Sequence, residues 1–316
     1  MSNRCFQVKI EDKRSLPKNL NVGVPQGGNL SPLLFNCFID DICQSWTSCT
    51  GCRGLLFADD LKIYKIISSQ ADCLILQQAL DNISSWCQTN KILINISKTV
   101  FTQFSRKREP IDHVYLLDDY TLKKTTVVKD LGIFIDYKLY FHDHIDFLIK
   151  SCKKIWFHIS IITKYATNYH QIKTLYLTLI RSKLEYGAIV WSILTNTDLK
   201  RVEHMQNKLT HKIIEKFGPT CAAEAKLVPL ERRCKILLAL FVFNTLINKI
   251  DNCEFLNNIG FSTTPNSCRL KGLLSLVNYN NFLHKIAISN YNIFRSYFQS
   301  FEFNTDTRII WKNFDT

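Results

Sequence analysis

The sequence predicts an α+β fold in which a mixed segment, residues 1–136, is followed by a mainly helical one, residues 137–250. In the first segment, short apolar runs alternate with turn residues, a pattern typical of strands and loops. From Tyr140 the apolar residues instead recur every three or four positions, which is typical of amphipathic helices. The chain has 316 residues, enough for about two domains. Residues 251–316 form a C-terminal extension without a clear periodic pattern.

The charge of the chain is unevenly distributed. It carries 40 Lys and Arg residues against 27 Asp and Glu residues, a net charge of +13. Residues 137–250 alone hold 18 basic and 8 acidic residues, so most of the excess lies in the helical segment. Such an excess favours a polyanionic partner, although a solvated helical surface would show the same composition. The 46% hydrophobic and 21% charged content excludes disordered and fibrous classes.

Signals for membranes, secretion and metal binding by cysteine are weak. No apolar run approaches the ~20 residues that a membrane span requires, and the N-terminus has no apolar signal segment. Twelve scattered cysteines favour reduced thiols and an intracellular location. Cys49 and Cys52 form a CxxC motif, but no second pair completes a zinc set, so small loop residues are the favoured interpretation. His142 and His144 lie on different sides of a helix and are not expected to share a metal ion.

The first segment begins with an extended stretch around Val8 and Ile10. A glycine-rich loop, residues 23–32, then leads into a helix that Ser31 is predicted to cap and Pro32 to begin. The apolar stripe of this helix comprises Phe35, Phe38, Ile39, Ile42 and Trp46.

A hairpin is predicted next. Two apolar runs, residues 55–58 and 61–66, are separated only by Asp59 and Asp60. Asp-Asp is a poor turn because its second residue lacks the freedom of glycine at positive φ. Something other than turn propensity therefore favours two carboxylates here. A helix with an apolar face over residues 76–86 and strands at residues 92–94 and 127–135 complete the segment.

Four helices are predicted in residues 137–250. Their apolar positions run from Phe141 to Ile162, from Ile172 to Leu179, from Leu199 to Ile213 and from Leu230 to Leu246. Gly218 and Pro219 end the third helix. Its basic residues recur every four positions and form a band that winds round the helix: Lys200, His204, Lys208, Lys212 and Lys216.

The two adjacent aspartates indicate chemistry. Carboxylate oxygens at a hairpin tip can bind a hard divalent cation, and pairs of such ions activate the attacking hydroxyl in polymerases and nucleases. An Asp-Asp pair alone more often marks a solvated turn. Here two very apolar strands flank the pair, so the pattern indicates a hairpin anchored in a core with an exposed, metal-binding tip.

Residues 57–60, Phe-Ala-Asp-Asp, and the loop and helix start of residues 23–35 resemble the reverse transcriptase of non-LTR retrotransposons of the jockey-like group. Further motifs follow in the same order as in that family. Residues 93–99 resemble the next palm motif, residues 131–133 the primer grip, and residues 139–145, 181–191 and 230–233 the helical region that follows the palm. The resemblance covers roughly residues 2–260.

The resemblance implies a partial right-hand polymerase palm, an antiparallel sheet with helices, followed by a helical thumb. It implies that Asp59 and Asp60 bind catalytic Mg²⁺, which Mn²⁺ could replace. Lys98 would assist by neutralising the triphosphate or protonating the leaving pyrophosphate, with an exposed loop lysine as the alternative. Gln26 and Gly27, with the neighbouring Gly28, would line the nucleotide and template pocket.

The same resemblance implies that the partners of the chain are an RNA template, a DNA primer and deoxynucleoside triphosphates, and that no membrane is involved. It also implies that an active enzyme would work in the nucleus. Within the thumb, the phosphates of template and primer would be bound by Lys200, Lys208, Lys212 and Lys216.

The sequence departs from the family pattern at two points. Gly28 stands where the family usually has serine. The fingers and the first palm motif, which supplies a further metal-binding aspartate, would precede residue 2, and Glu11 and Asp12 lack the pattern of that motif. We therefore expect a truncated copy with little or no polymerase activity alone. A catalytically inactive nucleic-acid-binding remnant and an unstable product are the alternatives.

Overall fold

The computed structural model of the chain describes residues 4–20, 23–25, 27–191, 196–261, 274–276 and 286–293. The chain divides into two compact units, Met1–Thr126 and Val127–Thr316. The first combines short strands with helices and the second is mainly helical, so the α+β class predicted from the sequence is confirmed.

The first unit holds ten short strands and three helices within the described residues. The strands are β1 (Arg4–Phe6), β2 (Lys9–Ile10), β3 (Lys13–Arg14), β4 (Lys18–Leu20), β5 (Arg53–Phe57), β6 (Asp60–Tyr64), β7 (Val100–Phe101), β8 (Leu116–Leu117), β9 (Tyr120–Thr121) and β10 (Lys123–Lys124). The helices are α1 (Ser31–Ile39), α2 (Gln44–Thr47) and α3 (Gln70–Thr89), with a 3-10 turn at Asp40–Cys43.

The strands of the first unit pair two by two. β1 with β4, β2 with β3, β5 with β6 and β8 with β9 are antiparallel, whereas β7 with β10 is parallel. In the part of the chain that is described, no larger antiparallel sheet joins these pairs. Most of the strands have two or three residues and therefore offer few backbone groups to a further neighbour.

The predicted strand at residues 92–94 is wrong, because the backbone there begins by forming hydrogen bonds to the last turn of α3. Lys91 adopts a left-handed φ of 56°. The amide of Ile92 donates to the carbonyl of Cys87 at 2.9 Å and that of Lys91 to Gln88 at 3.2 Å. This pair of bonds is a Schellman motif, which satisfies the last carbonyls of a helix. Leu93 is 96% exposed as a result.

Helix α3 begins at a capping box and buries the predicted face. The Ser69 hydroxyl accepts a hydrogen bond from the amide of Asp72, and the Asp72 carboxylate accepts one from the amide of Ser69 at 2.9 Å. Ala79 and Ile83 of α3 lie in a core with Trp46. That core anchors the β5–β6 hairpin, because Leu61 and Ile63 of β6 pack against it.

The acid sensitivity of the first unit is expected to depend on Asp72. Hydrogen bonds from the amide of Ser68, then from the hydroxyl and amide of Ser69, lower the pKa of this carboxyl from 3.8 to about 2. Because the folded pKa is depressed, the stabilisation is complete above pH ~4 and is lost as the pH falls towards ~2. The thermal unfolding midpoint of the wild type should therefore fall more steeply over this range than that of Asp72→Asn, measured by circular dichroism. Asp119→Asn, at an exposed position, should keep the wild-type slope.

The second unit holds nine α-helices and four strands within the described residues. The strands are β11 (Val127–Asp130), β12 (Ile133–Asp136), β13 (Ile259–Phe261) and β14 (Leu274–Leu276). The helices are α4 (His142–Ile162), α5 (Tyr169–Tyr176), α6 (Ser182–Glu185), α7 (Ala188–Trp191), α8 (Asn196–Phe217), α9 (Pro219–Glu224), α10 (Leu230–Leu246), α11 (Cys253–Asn257) and α12 (286–293). A 3-10 turn, Thr163–Tyr165, follows α4, and a π-helical turn, Leu177–Arg181, joins α5 to α6.

One continuous core holds the second unit together. Its buried side chains come mainly from α4, α5 and α8, where they occupy the positions predicted from the 3.6-residue period: Ile145, Leu148, Cys152, Ile159, Ile172, Val202, Met205, Leu209 and Ile213. Gly218, with a φ of 88°, follows α8 as predicted. No helix among the described residues is both long and apolar enough to cross a membrane.

The β11–β12 hairpin belongs to the helical unit, whereas the sequence placed the boundary at residue 136. Its two-residue turn is Leu131–Gly132, whereas the sequence predicts one strand over residues 127–135; the turn divides that stretch, and Gly132 adopts a left-handed φ of 84° in it. The Tyr186 hydroxyl donates to the carbonyl of Leu131 at 2.7 Å, and Ile133 lies in the core of the helical unit. The hairpin is therefore fixed to the helices that follow it in the chain.

Candidate active site

The two adjacent aspartates lie at the tip of the β5–β6 hairpin, one residue out of the predicted register. The last paired residues are Phe57 and Asp60, so the two-residue turn consists of Ala58 and Asp59, and Asp60 begins β6. Ala58 has a left-handed φ of 52°, which costs roughly 1–2 kcal/mol for a residue with a side chain. Backbone strain of this kind persists where the surrounding structure enforces it, often at functional sites.

The carboxylates of Asp59 and Asp60 are exposed and make no hydrogen bond or ion pair to another described residue. The hairpin below them is held by Gly54, whose Cα approaches the buried Trp46 indole so closely that an added Cβ would lie 2.2 Å from the ring. The packing of β5 and β6 on α2 therefore fixes the hairpin, and its tip presents two charged side chains without a partner among the described residues.

Lys98 lies in a separate turn of the same unit. Its amide donates to the carbonyl of Asn95 at 3.1 Å, and the Asn95 side chain accepts from Ser97 at 2.7 Å. The Lys98 side chain is exposed. Within the described residues no ion pair joins it to Asp59 or Asp60, so the structure does not bring these three groups into contact.

The glycine-rich loop is tied to the start of α1 by Ser31. The predicted capping role of Ser31 is wrong: its hydroxyl donates to the carbonyl of Pro25 at 2.5 Å and makes no capping bond. Pro32 does lie in the first turn of α1. This long-range bond closes the loop over Gly27, whose φ of 78° favours glycine. Gln26 lies outside the described residues.

The closed loop borders a shallow, open depression of about 530 Å³ that is lined by Pro25, Gly28, Asn29, Leu30, Ser31 and Leu34. Gly28 contributes backbone only, and a Cβ there would lie 2.8 Å from the Ser31 hydroxyl. The serine that the family usually has at this position would therefore have to displace the Ser31 hydroxyl. Of the predicted pocket residues, Gly28 lines this depression.

The donor set suits a metal ion only in part. Mg²⁺ is commonly bound through one or two carboxylates, with phosphates and water completing six oxygen ligands. Asp59 and Asp60 can supply such carboxylates. Among the described residues, however, no group of three His, Cys, Asp or Glu side chains could hold a metal ion. The turn therefore fits one side of a metal site that a phosphate ligand would share.

The basic band predicted on α8 is only partly available to a ligand. Lys200 is exposed, but Lys208, Lys212 and Lys216 are half-buried. The ammonium group of Lys212 lies 2.9 Å from the Glu215 carboxylate.

The ammonium group of Lys216 donates to the carbonyls of Thr163 and Lys164 at 2.5 and 2.7 Å. It thereby ties the end of α8 to the turn after α4, a contact between residues about fifty positions apart. This tertiary role has no signal in the sequence.

The other candidate ligands are structural, as the sequence analysis favoured. Cys49 and Cys52 are buried in the core beneath the hairpin. His144 is buried, and its Nδ1 accepts a hydrogen bond from the amide of Phe134 at 3.3 Å. His142 instead contacts Asp198 at 2.5 Å. The two histidine rings therefore contact different groups of the protein.

Comparisons with known proteins match about half of the chain to one family model and about two thirds of it to transposon proteins. The family model for reverse transcriptase (RNA-dependent DNA polymerase) matches residues 2–149. A probable RNA-directed DNA polymerase from transposon BS of Drosophila melanogaster is 25% identical over 223 residues, which cover 68% of this chain and 25% of that protein. A probable RNA-directed DNA polymerase from transposon X-element of the same species is 27% identical over 217 residues, 67% of this chain and 24% of that protein.

The RNA-directed DNA polymerase from mobile element jockey of Drosophila funebris is 26% identical over 225 residues, 66% of this chain and 24% of that protein. The chain thus spans about a quarter of the length of the curated relatives it matches. No solved structure shows significant similarity to it. The family match contains the glycine-rich loop and the aspartate turn described above. Residues 2–149 are thus similar to reverse transcriptases, and the relatives named above are RNA-directed DNA polymerases of transposons or mobile elements.

Proposed function

We propose that this chain forms the palm and thumb of an RNA-directed DNA polymerase, which joins a deoxynucleotide to the 3′-hydroxyl of a DNA primer opposite an RNA template. The observation that carries the proposal is the β5–β6 turn, which presents Asp59 and Asp60 without a partner among the described residues on a hairpin anchored by Trp46. Met1–Thr126 would be the palm and Val127–Thr316 the thumb with its C-terminal extension.

Each part of the palm would have a distinct task. Asp59 and Asp60 would hold Mg²⁺, or Mn²⁺ in its place, and the ion would supply positive charge at the transferring phosphoryl group. Gln26, Gly27 and Gly28 would border the nucleotide and template pocket, because backbone without side chains allows a strand to approach closely. Lys98 would neutralise the triphosphate from its exposed turn.

The thumb would bind template and primer through their phosphates. The excess of basic residues in 137–250 supports this, since a sequence-independent polymerase must hold any template by its backbone. Of the four lysines predicted on α8, Lys200 and Lys208 have no hydrogen-bond or ion-pair partner among the described residues, so they would carry more of this contact than Lys212 and Lys216. An active enzyme of this kind would work in the nucleus, where chromosomal DNA can supply the primer.

A primer-extension assay tests the catalytic proposal. Purified chain is mixed with a DNA primer on an RNA template, the four deoxynucleoside triphosphates and Mg²⁺ or Mn²⁺. If the chain extends the primer, Asp59→Ala/Asp60→Ala should reduce the rate by at least about a hundredfold, because the metal ligands are removed. The matched control is Glu11→Ala/Asp12→Ala, which removes two exposed acidic residues from the turn of the β2–β3 hairpin. Equal extension by both double variants would contradict the proposal.

A second function, nucleic-acid binding without catalysis, is favoured by one observation. In the described part of the chain no third acidic or histidine side chain joins Asp59 and Asp60 in a group that could hold a metal ion. This alternative expects no extension by the wild type with either metal, together with RNA binding that weakens steeply with salt. The same protein preparation in a filter-binding assay therefore separates the two functions.

A further inference from the structure

The outer face of α4 combines positive charge with exposed rings. It consists of Phe147, Lys150, Lys154, Phe157 and Ile161, which follow one another at steps of three and four residues, and it continues into Tyr165. At 3.6 residues per turn this spacing keeps the first five side chains on one side of the helix. The opposite side of α4 supplies Ile145, Cys152 and Ile159 to the core. The α4 outer face is thus the solvent side of a helix fixed from behind.

The aromatic side chains of this face are more exposed than is usual for a surface that contacts only water. Phe157 is 63% exposed and Tyr165 is 84% exposed. Phe147 is also exposed, and its ring lies 5.0 Å from that of Phe134, with the Lys129 ammonium within 6 Å of both rings. An aromatic platform with a cation beside it therefore stands at the N-terminal half of the face.

The charge of the α4 outer face has one sign. From Phe147 to Tyr165 the sequence contains four lysines and one histidine but no Asp or Glu. These lysines, at positions 150, 153, 154 and 164, are exposed, and none forms an ion pair within the described residues. The nearest acidic residue on α4, Asp146, is bound by Arg201. Unlike Lys212 and Lys216 of α8, the lysines of this face are free to bind anions.

We propose that the α4 outer face binds single-stranded nucleic acid, with Phe157 and Tyr165 stacking on bases and Lys150 and Lys154 binding phosphates. Interleaved rings and lysines match the chemistry of single strands, whose unpaired bases can stack on aromatic side chains while the backbone meets positive charge. A duplex hides its base faces and would leave the rings in water. From residue 147 to residue 161 the helix rises about 21 Å, enough for about six nucleotides at a stacked rise of ~3.4 Å.

This inference rests on the proposed function only in that the partner is nucleic acid. It adds a second contact mode to the thumb, because stacking on unpaired bases differs from a grip on duplex phosphates. A single strand on this face would be template that is not yet paired or primer strand that has been displaced. Primer extension and single-strand binding can therefore fail independently of each other.

The test is fluorescence anisotropy with the full chain and two labelled probes, a single-stranded RNA of about twelve nucleotides and a duplex of the same length. Phe157→Ala/Tyr165→Ala should weaken single-strand binding by at least about thirtyfold, since each of the two lost stacked bases contributes ~1–3 kcal/mol. Duplex binding should change less than threefold. Phe157→Trp/Tyr165→Trp, which retains both rings, should keep wild-type affinity.

The charge contribution is measured in the same assay. Lys150→Gln/Lys154→Gln should lower the slope of log K against log salt by about 1.4 for the single strand, since each neutralised phosphate contributes ~0.7. Lys123→Gln/Lys226→Gln removes two exposed lysines elsewhere and should leave the slope unchanged. Circular dichroism of each variant confirms that it is folded.

Three results would overturn the inference. The first is unchanged single-strand affinity in the Phe157→Ala/Tyr165→Ala variant, and the second is an equal loss for the duplex probe. The third is a self-associated wild type that the same variant dissociates in sedimentation, which would assign the face to a second copy of the chain. If binding behaves as expected but primer extension is absent, the inference stands and the catalytic proposal fails.

Discussion

Replacing Arg233 by alanine is expected to destabilise the helical unit by about 3 kcal/mol. The side chain of Arg233, on α10, is 5% exposed and binds the carboxylate of Glu185 on α6 through two nitrogens, one of them at 3.2 Å. Removing one partner of a buried pair leaves the other charge without compensation, which typically costs 3–5 kcal/mol. The lower end applies here because Arg181 also lies 3.7 Å from Glu185 and can retain part of the attraction.

Denaturant unfolding followed by circular dichroism measures this effect. Arg232→Ala is the matched control, since this neighbouring arginine is exposed and its loss should change stability by less than about 0.5 kcal/mol. The double variant Arg233→Met/Glu185→Leu removes both charges and should recover most of the loss. If Arg232→Ala and Arg233→Ala unfold at the same denaturant concentration, the buried pair does not stabilise the junction of α6 and α10.

Gly187→Ala is expected to lower the free energy of unfolding by about 2–5 kcal/mol, because backbone strain and overpacking combine at this position. Its φ of 66° is left-handed, which costs a residue with a side chain roughly 1–2 kcal/mol. The added Cβ would also lie 2.4 Å from Cδ1 of Ile133, and overpacking of a core typically costs 1–3 kcal/mol. The change would push the β11–β12 hairpin away from the helices.

Two further variants separate these penalties. Gly132 has a φ of 84°, but an added Cβ there would make only an ordinary 3.5 Å contact to Tyr186. Gly132→Ala should therefore lower the free energy of unfolding only by the roughly 1–2 kcal/mol of backbone strain. Ile133→Val removes Cδ1, so Gly187→Ala/Ile133→Val should be at least about 1 kcal/mol more stable than the sum of the single variants predicts. Strict additivity would show that Ile133 does not limit the space at Gly187. The measurement is again the free energy of unfolding from denaturant titration.

The long helices could be predicted from the sequence because their periodic pattern is strong and local. The stripe from Phe141 to Ile159 on α4 and that from Val202 to Ile213 on α8 are buried as the spacing indicated. The extended conformation of residues 127–135 was also predicted, but its division into the β11–β12 hairpin was not, although Gly132 supplies the positive φ that the turn requires.

The remaining features depend on hydrogen bonds that the spacing of apolar residues does not reveal. Residues 92–94 have the composition of a strand, but no strand pairs with them among the described residues, and the amide of Ile92 bonds to the end of α3. Ser31 has the position of a helix cap, yet the carbonyl of Pro25 competes for its hydroxyl. Such competition for a single backbone or hydroxyl group cannot be judged from spacing.

At the candidate site too, the sequence pattern located the aspartate turn and the basic band but did not predict their detailed contacts. The pair Asp59 and Asp60 identified the hairpin, but the turn lies one residue earlier than predicted and includes Ala58. Such a shift changes each cross-strand partner by two positions and keeps every side chain on its own face, so a pattern of apolar runs does not reveal it. The band on α8 was regular in sequence, whereas the contacts of Lys216 with the turn after α4 depend on tertiary packing.

The proposed polymerase chemistry requires that Asp59 and Asp60 hold a divalent ion together with a nucleotide phosphate. Its most direct test is electron paramagnetic resonance of Mn²⁺ titrated into the chain in the presence of a deoxynucleoside triphosphate. A protein-bound Mn²⁺–nucleotide signal is expected for the wild type and for Glu11→Ala/Asp12→Ala, and it should be lost in Asp59→Ala/Asp60→Ala. Equal Mn²⁺ binding by all three proteins, or none by the wild type, would contradict it.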